Sequence, residues 1–174
     1  TKGIAKAELR GEALIKKETF NKVNSAREEE GLVLFANPRN AATGGLRTKN
    51  PQETKNRGIE AFIFQMGYAV DENNNSVFDK YNTHFGNIEM MGELGFKIPI
   101  KEKKLCYGIE EVIKFCNYWQ EQRDTFEYEI DGMVVKVNDY KLQELCGSTA
   151  HHPRWAIAFK FKAKQATSKL INVE

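Results

Sequence analysis

The chain has 174 residues, 41% hydrophobic and 29% charged, with a formal net charge of +2 at pH 7. That length suffices for one domain with its own core, and the near-neutral balance argues against a whole surface adapted to a polyanion while leaving room for a local basic face. Cys106, Cys116 and Cys146 are widely spaced and odd in number, which argues against a disulfide framework and against a Cys-x-x-Cys zinc ribbon. No apolar run approaches the roughly 18 residues of a membrane span, and the first residues do not resemble a signal peptide. A reduced, cytoplasmic setting with no membrane partner is expected, and the start reads as an internal point of a longer protein.

In chain order, Ile4 to Leu14 alternates loosely and reads as a strand. Lys16 to Glu30 places Phe20, Val23 and Ala26 at helical spacing, and Gly31 is a plausible stop. Phe35 to Arg47 combines Asn37, Pro38, Asn40, Gly44 and Gly45 with two arginines, and reads as a shaped loop with at most one short helical turn. Asn50-Pro51 opens a short helix towards Arg57. Phe62, Phe64 and Met66 recur at period two within Ile59 to Val70, a buried strand, and Asp71 to Ser76 is a polar turn. Tyr81 to Leu94 reads as a helix with His84, Ile88, Met91 and Leu94 on one face and Gly95 as its cap. Gly108 to Arg123 is a second helix, carrying Val112, Phe115 and Trp119. Tyr128 to Val137 and Trp155 to Lys162 read as strands joined by a short helix near Tyr140 to Leu145, and a last strand is expected over Ser168 to Val173. Interspersed strands and helices predict an α+β domain with a mixed, largely antiparallel sheet.

Several segments carry charge where a core strand would carry Val or Ile. Asp131, Lys136 and Lys160 are set into apolar runs, and an unpaired buried charge is costly. Two lysines and a carboxylate facing one cleft would suit an anionic, phosphorylated substrate. Asp131 and Lys136 lie five residues apart, so they share a face only if Gly132 supplies a bulge; otherwise they serve different partners. Asp131 suits magnesium, which takes one or two carboxylates plus substrate phosphate oxygens, and Asp131-Gly132 also reads as a turn pair. For Lys160 and Lys162, pattern alone does not separate a site from a half-exposed strand with lysines outward. Glu8, Arg10 and Glu12 share a strand face and either pair locally or leave Glu12 to accept from a sugar hydroxyl, with Gly11 permitting close approach. In the Phe35 to Arg47 segment the small residues would let backbone approach a ligand, and Arg39 and Arg47 suit phosphate oxygens. It is no Walker-type phosphate loop. His151-His152 and the Lys16-Lys17 and Lys101 to Lys104 clusters read as surface features.

Taken together, in order and through nearly the whole chain, these segments resemble the adenylation (nucleotidyltransferase) domain of bacterial NAD-dependent DNA ligases. Leu9-Arg10-Gly11-Glu12 is similar to the third motif of the nucleotidyltransferases, Glu129 to Asn138 to the fourth and Arg154 to Phe161 to the fifth. The Phe35 to Arg47 segment resembles a stretch close to diagnostic for the NAD-dependent branch. The resemblance implies the ATP-grasp-like nucleotidyltransferase fold and nick sealing in replication and repair. There a lysine takes AMP from NAD, passes it to the 5′-phosphate of the nick, and the 3′-hydroxyl displaces it. It implies Glu12 on the AMP ribose, Lys136 on the adenine edge, Phe64 as an aromatic platform, and Lys160 and Arg123 on phosphates. Asp131 would serve the metal or the reacting phosphate, and Arg39 and Arg47 would hold phosphates of nicked duplex DNA. NAD and Mg2+ are the implied cofactors, with zinc only in a domain outside these residues. The family's nucleophile lies in a Lys-x-Asp-Gly motif, which does not occur in this sequence. Residues 1–174 are therefore expected to be a partial adenylation domain, inactive by itself, whose partner is the remainder of the ligase polypeptide in the bacterial cytosol, associated with the nucleoid. Two other readings stay open: a non-catalytic nucleic-acid-binding module, and a relative of the ATP-dependent ligases and capping enzymes, against which the Phe35 to Arg47 segment argues.

Overall fold

The structure, a computed structural model, describes residues 3–77, 82–163, 167 and 171–172. Ten elements follow in order: β1 (Lys6–Leu14), α1 (Lys17–Glu29), α2 (Pro38–Leu46), α3 (Pro51–Asn56), β2 (Glu60–Val70), α4 (His84–Glu93), α5 (Ile109–Gln122), β3 (Gly132–Lys136), α6 (Tyr140–Cys146) and β4 (Ala156–Lys160). Strands and helices mix as the sequence implies, and both ladders, β1 with β2 and β3 with β4, are antiparallel. Of the strand expected over Ser168 to Val173, only Ile171 and Asn172 are described, and neither is in a strand; the rest of it lies outside the described residues, as does the expected start of α4 at Tyr81.

Local chemistry sets the boundaries. The first turn of α4 is capped by Thr83, whose hydroxyl accepts from Gly86 N at 3.2 Å. Its other end closes as a Schellman motif, with Gly95 N on Gly92 O and Phe96 N on Met91 O, and Gly95 supplies the positive φ of 92°. Gly31 closes α1 in the same way.

The β1–β2 ladder carries two irregularities, which leave Gly67 and Phe64 as extra residues on β2. Such bulges bend the strand and re-aim side chains. One face of β2 packs on α4 in a core of Met66, Ala69, Val77, Ile88, Met90, Met91 and Ile98. A second, smaller core holds Ile15, Ala41 and Ala42 against Phe20, Val23 and Phe35. An aromatic series from Phe62 through Tyr128 and Phe126 to Trp119, edge-on at its two ends and tilted in the middle, ties β2 to α5. Buried Tyr128 also donates to Glu60, which is paired with Lys97. The segment leading into β3 is thereby anchored from below.

The expectation of a shaped loop at Phe35 to Arg47 is corrected: Pro38–Leu46 is a nine-residue helix. Asn37 caps it, accepting from Asn40 N at 2.8 Å, and Pro38 sits in the first turn, where a missing N–H costs nothing. Gly44 and Gly45 serve packing. A Cβ on Gly45 would meet the Ile59 side chain and Arg57 Cδ, the latter at 2.9 Å, and one on Gly44 would meet Arg57 Nη1 at 3.1 Å. Arg57 is buried there, donating to Ala41 O and Glu53 and lying 4.8 Å from the Phe35 ring centroid. The small residues read as room for a ligand are room for an arginine.

Candidate active site

A cleft of about 970 Å3 opens between the end of β1, the starts of α1 and α2, the segment after α5 and the end of β4. Five sequence-predicted residues line it: Glu12, Arg39, Arg123, Asp131 and Lys160. The charged lining is Lys17, Arg39, Arg123, Lys160 and Lys162 against Glu12, Asp124, Glu129 and Asp131, a nearly balanced set. Such a set suits a phosphate accompanied by polar or cationic groups better than a bare polyanion.

Each side chain has a local cause. Asn37, Pro38 and Arg39 reach the cleft from the first turn of α2, the positive end of that helix. Arg47 caps the other end of α2 and stands outside the cleft, roughly 12 Å along the axis from Arg39 at helical rise. The two arginines therefore address different groups. Lys17 donates to the carbonyls of Arg123 and Asp124 at 3.0 and 3.1 Å, closing the end of α5. Arg123 donates from Nη1 to the carbonyl of Lys162 at 2.7 Å and so pins the chain just past β4. Glu8 pairs with Arg10 at 2.8 Å, the local pairing that alternating charges allow, while Glu12 lies by the cleft.

Asp131 and Lys160 form an ion pair at 2.8 Å with side chains 78% and 68% exposed. The expectation that burial makes these two charges costly is corrected, because each has water and the other as partner. Hydrogen bonding from the Lys160 ammonium holds the Asp131 carboxyl below the usual range, with a further push from the positive charge of Arg39. Gly132 is not a bulge: the β3–β4 register is regular, with Gly132 opposite Lys160 and Lys136 opposite Ala156. Gly132 is instead a close approach, since a Cβ there would run into the Phe159 carbonyl oxygen and lie 3.2 Å from Lys160 Cα.

Lys136 is separated from this cleft, correcting the expectation of two lysines and a carboxylate on one opening. It occupies the far end of β3, about 13 Å from Gly132 at strand rise. There Nζ lies 3.3 Å from Gln65 Oε1, 3.4 Å from His84 Nε2 and 5.1 Å from the Phe64 ring centroid. Burial lowers the Lys136 pKa to about 8. Burial, and then the charge of Lys136, lowers that of His84 to about 4. Phe64 and Lys136 are candidates from the sequence, whereas Gln65 and His84 carry no signal there: His84 falls on the apolar face of its helix, and no local pattern marks a Gln between two apolar residues of a strand.

Among the described residues, no group of three or more His, Cys, Asp and Glu side chains gathers as a metal site, and no helix is long and apolar enough to cross a membrane. Asp131, one of four carboxylates at the cleft, is held ionised, and one such carboxylate completed by substrate oxygens is a donor set that suits magnesium. His151 and His152 are exposed, with ring centroids 6.4 Å apart.

A cleft with guanidinium, ammonium and carboxylate groups around one opening defines a domain suited to phosphoryl groups. The family described as NAD-dependent DNA ligase adenylation domain matches residues 1–164, and the chain belongs to it. A protein named DNA ligase from Sulfurihydrogenibium sp. (strain YO3AOP1) is 56% identical over 171 residues, which is 98% of this chain and 24% of that protein. DNA ligase of Aquifex aeolicus is 48% identical over 98% of this chain and 23% of its own length. DNA ligase of Bacillus cytotoxicus is 42% identical over 96% and 24%. The chain thus spans about a quarter of the length of these relatives.

Proposed function

We propose that this segment supplies most of the nucleotide- and phosphate-binding groups of an NAD-dependent DNA ligase, within its nucleotidyltransferase fold. The convergence of Glu12, Arg39, Arg123, Asp131 and Lys160 on one cleft carries the reading. Lys136 and Lys160 lie on one face of the β3–β4 ladder, at opposite ends, with exposed Val134 and the small Ala158 between them. That face suits a nucleotide laid lengthwise. Its adenine would rest near Phe64 and Lys136, its ribose near Glu12, and its α-phosphate near Lys160 and Arg123.

Self-adenylation breaks the bond between the α-phosphorus of NAD and the oxygen leading to nicotinamide mononucleotide. The attacking lysine lies outside these 174 residues, since none of them forms the Lys-x-Asp-Gly motif. This chain's part is positioning and charge stabilisation, the larger share of phosphoryl-transfer catalysis. Lys160 and Arg123 would meet negative charge growing on the phosphate oxygens, and Lys136 would fix the base. Asp131 would hold Mg2+, which would neutralise phosphate charge. Arg39 and Arg47, on separate ends of α2, would hold separate phosphates of nicked duplex DNA. Any zinc would belong to another part of the polypeptide. The working place would be the bacterial cytosol at the nucleoid.

The test is intact mass after incubation of the full-length protein with Mg2+ and either NAD or ATP, beside residues 1–174 alone. A gain of one AMP with NAD, on the full-length protein only, is expected. A gain with ATP moves the protein to the other ligase branch. No gain with either leaves a non-catalytic nucleic-acid-binding module, and efficient labelling of residues 1–174 alone overturns the assignment of the nucleophile.

A further inference from the structure

Lys136 is the unusual charge of this chain. It is half-buried, and among the described residues none pairs with it through a carboxylate; its polar neighbours are a carboxamide, an imidazole and a ring face. A desolvated ammonium held only by neutral groups costs stability, and the surroundings are nonetheless firmly built.

Two elements converge on its Nζ. From β2, Gln65 offers Oε1 at 3.3 Å, and Phe64 turns its ring towards the ammonium from the bulge position. From α4, His84 offers Nε2 at 3.4 Å. The imidazole is located by the backbone of the segment that follows Lys136 itself. Asn138 O accepts from His84 N at 2.8 Å, and Asn138 Oδ1 accepts from Phe85 N at 2.8 Å. Thr83 also bridges to Asp139. The ring then stands edge-on to Tyr140, centroids 6.4 Å apart at 83°. The first turn of α4 is therefore clamped to Asn138 and Asp139, just beyond β3, and the clamp sets His84 against Lys136.

We propose that His84 is a positioning residue for nucleotide binding: with its lone pair on Nε2, and with Gln65, it fixes the Lys136 ammonium in the direction of the base. The inference rests on the reading that Lys136 contacts the nucleotide. Neutral His84 must carry its proton on Nδ1, because a proton on Nε2 would face the ammonium donor to donor.

The experiment is self-adenylation of the full-length protein by NAD, followed by intact mass in single turnover, for H84L, H84Q, K136M and the double variant H84L/K136M. A hydrogen bond to a charged group supports about a tenfold effect. H84L is expected to lose about tenfold in kcat/KM, mostly through KM. H84Q, which returns an acceptor, should recover to within about threefold, and H84L should change less than about twofold when Lys136 is already Met. An equal loss from H84L in both backgrounds means the residue acts through packing alone and overturns the proposal, as does an H84Q variant no better than H84L. Undiminished adenylation by K136M removes the role given to Lys136 and this inference with it, whereas a loss in K136M with no loss in H84L overturns only the inference.

Discussion

Gly132→Ala tests whether the site is held together by the closeness of β3 and β4. The added Cβ would run into the Phe159 carbonyl oxygen and sit 3.2 Å from Lys160 Cα. Both obstacles are backbone, so no side chain can swing away and the ladder itself must open. Overpacking of this kind costs about 1 to 3 kcal/mol. For a domain of this size that corresponds to a fall in Tm of roughly 2 to 12 °C. The displaced residue is the one opposite Lys160, so the Asp131–Lys160 ion pair should be lost along with the strand register. Calorimetry of residues 1–174, wild type against G132A, gives the first quantity. Self-adenylation of the full-length variant gives the second, with a loss of at least about tenfold expected from misplacing the lysine proposed to bind phosphate. A G132A protein melting within about 1 °C of wild type, with full activity, would refute the close-approach argument and with it the claim that ladder geometry sets Lys160.

Asn37→Ala removes the cap of α2 and should cost about 1 kcal/mol in urea unfolding; no change would mean the helix is held by Arg57 and its neighbours alone. Arg39→Ala and Arg47→Ala should each lower the salt dependence of nicked-DNA binding by about one phosphate contact, and the two effects should add because the residues sit at opposite ends of α2. A binding isotherm series in salt checks this, and a non-additive pair would place both on one phosphate. His84 gives a pH signature. Its folded pKa, about 4, lies below its unfolded value, so the unfolded chain binds more protons between the two and stability falls as pH drops through that window. Wild type should therefore lose on the order of 2 kcal/mol more than H84Q between pH 7 and 4.5. Urea midpoints at the two pH values decide it, and parallel losses would show that His84 is not desolvated.

What the sequence made visible follows from how local each signal is. The caps at Gly31 and Gly95 were legible because a positive φ leaves a glycine in the text. Helix α2 was not, because Asn, Pro and paired Gly are loop residues by composition. What overrides their propensity is Arg57, more than ten residues downstream, whose buried guanidinium requires the Gly pair. Glu12, Arg39, Arg123, Asp131 and Lys160 were all named from sequence and do share a cleft. Glu12, Asp131 and Lys160 each stand in or beside a short motif carried on one strand, while Arg39 and Arg123 come from the ends of helices α2 and α5. The split of Lys136 from Lys160 was hidden, since it depends on the β3–β4 register. His84 and Gln65 were hidden for the same reason: they come against Lys136 only when β2, α4 and β3 meet.

That split gives the two lysines different physics. Lys160 keeps water and a carboxylate, so a phosphate arriving there exchanges one anionic partner for another, and exposed pairs of this kind are worth about 0 to 1 kcal/mol. Its contribution is expected chiefly in the transition state, where phosphate charge grows and a mobile, solvated ammonium can follow it. Lys136 has already lost much of its water and, among the described residues, holds only neutral acceptors. A ligand acceptor there repairs a cost the folded chain carries in its absence, so the gain appears on ground-state binding. Substitution of Lys136 should accordingly raise KM for NAD more than it lowers kcat, and substitution of Lys160 the reverse. Rapid-quench kinetics of the full-length protein separates the two, and a Lys136 variant impaired only in kcat would show that desolvation at this position serves the chemical step instead of the recognition of the base.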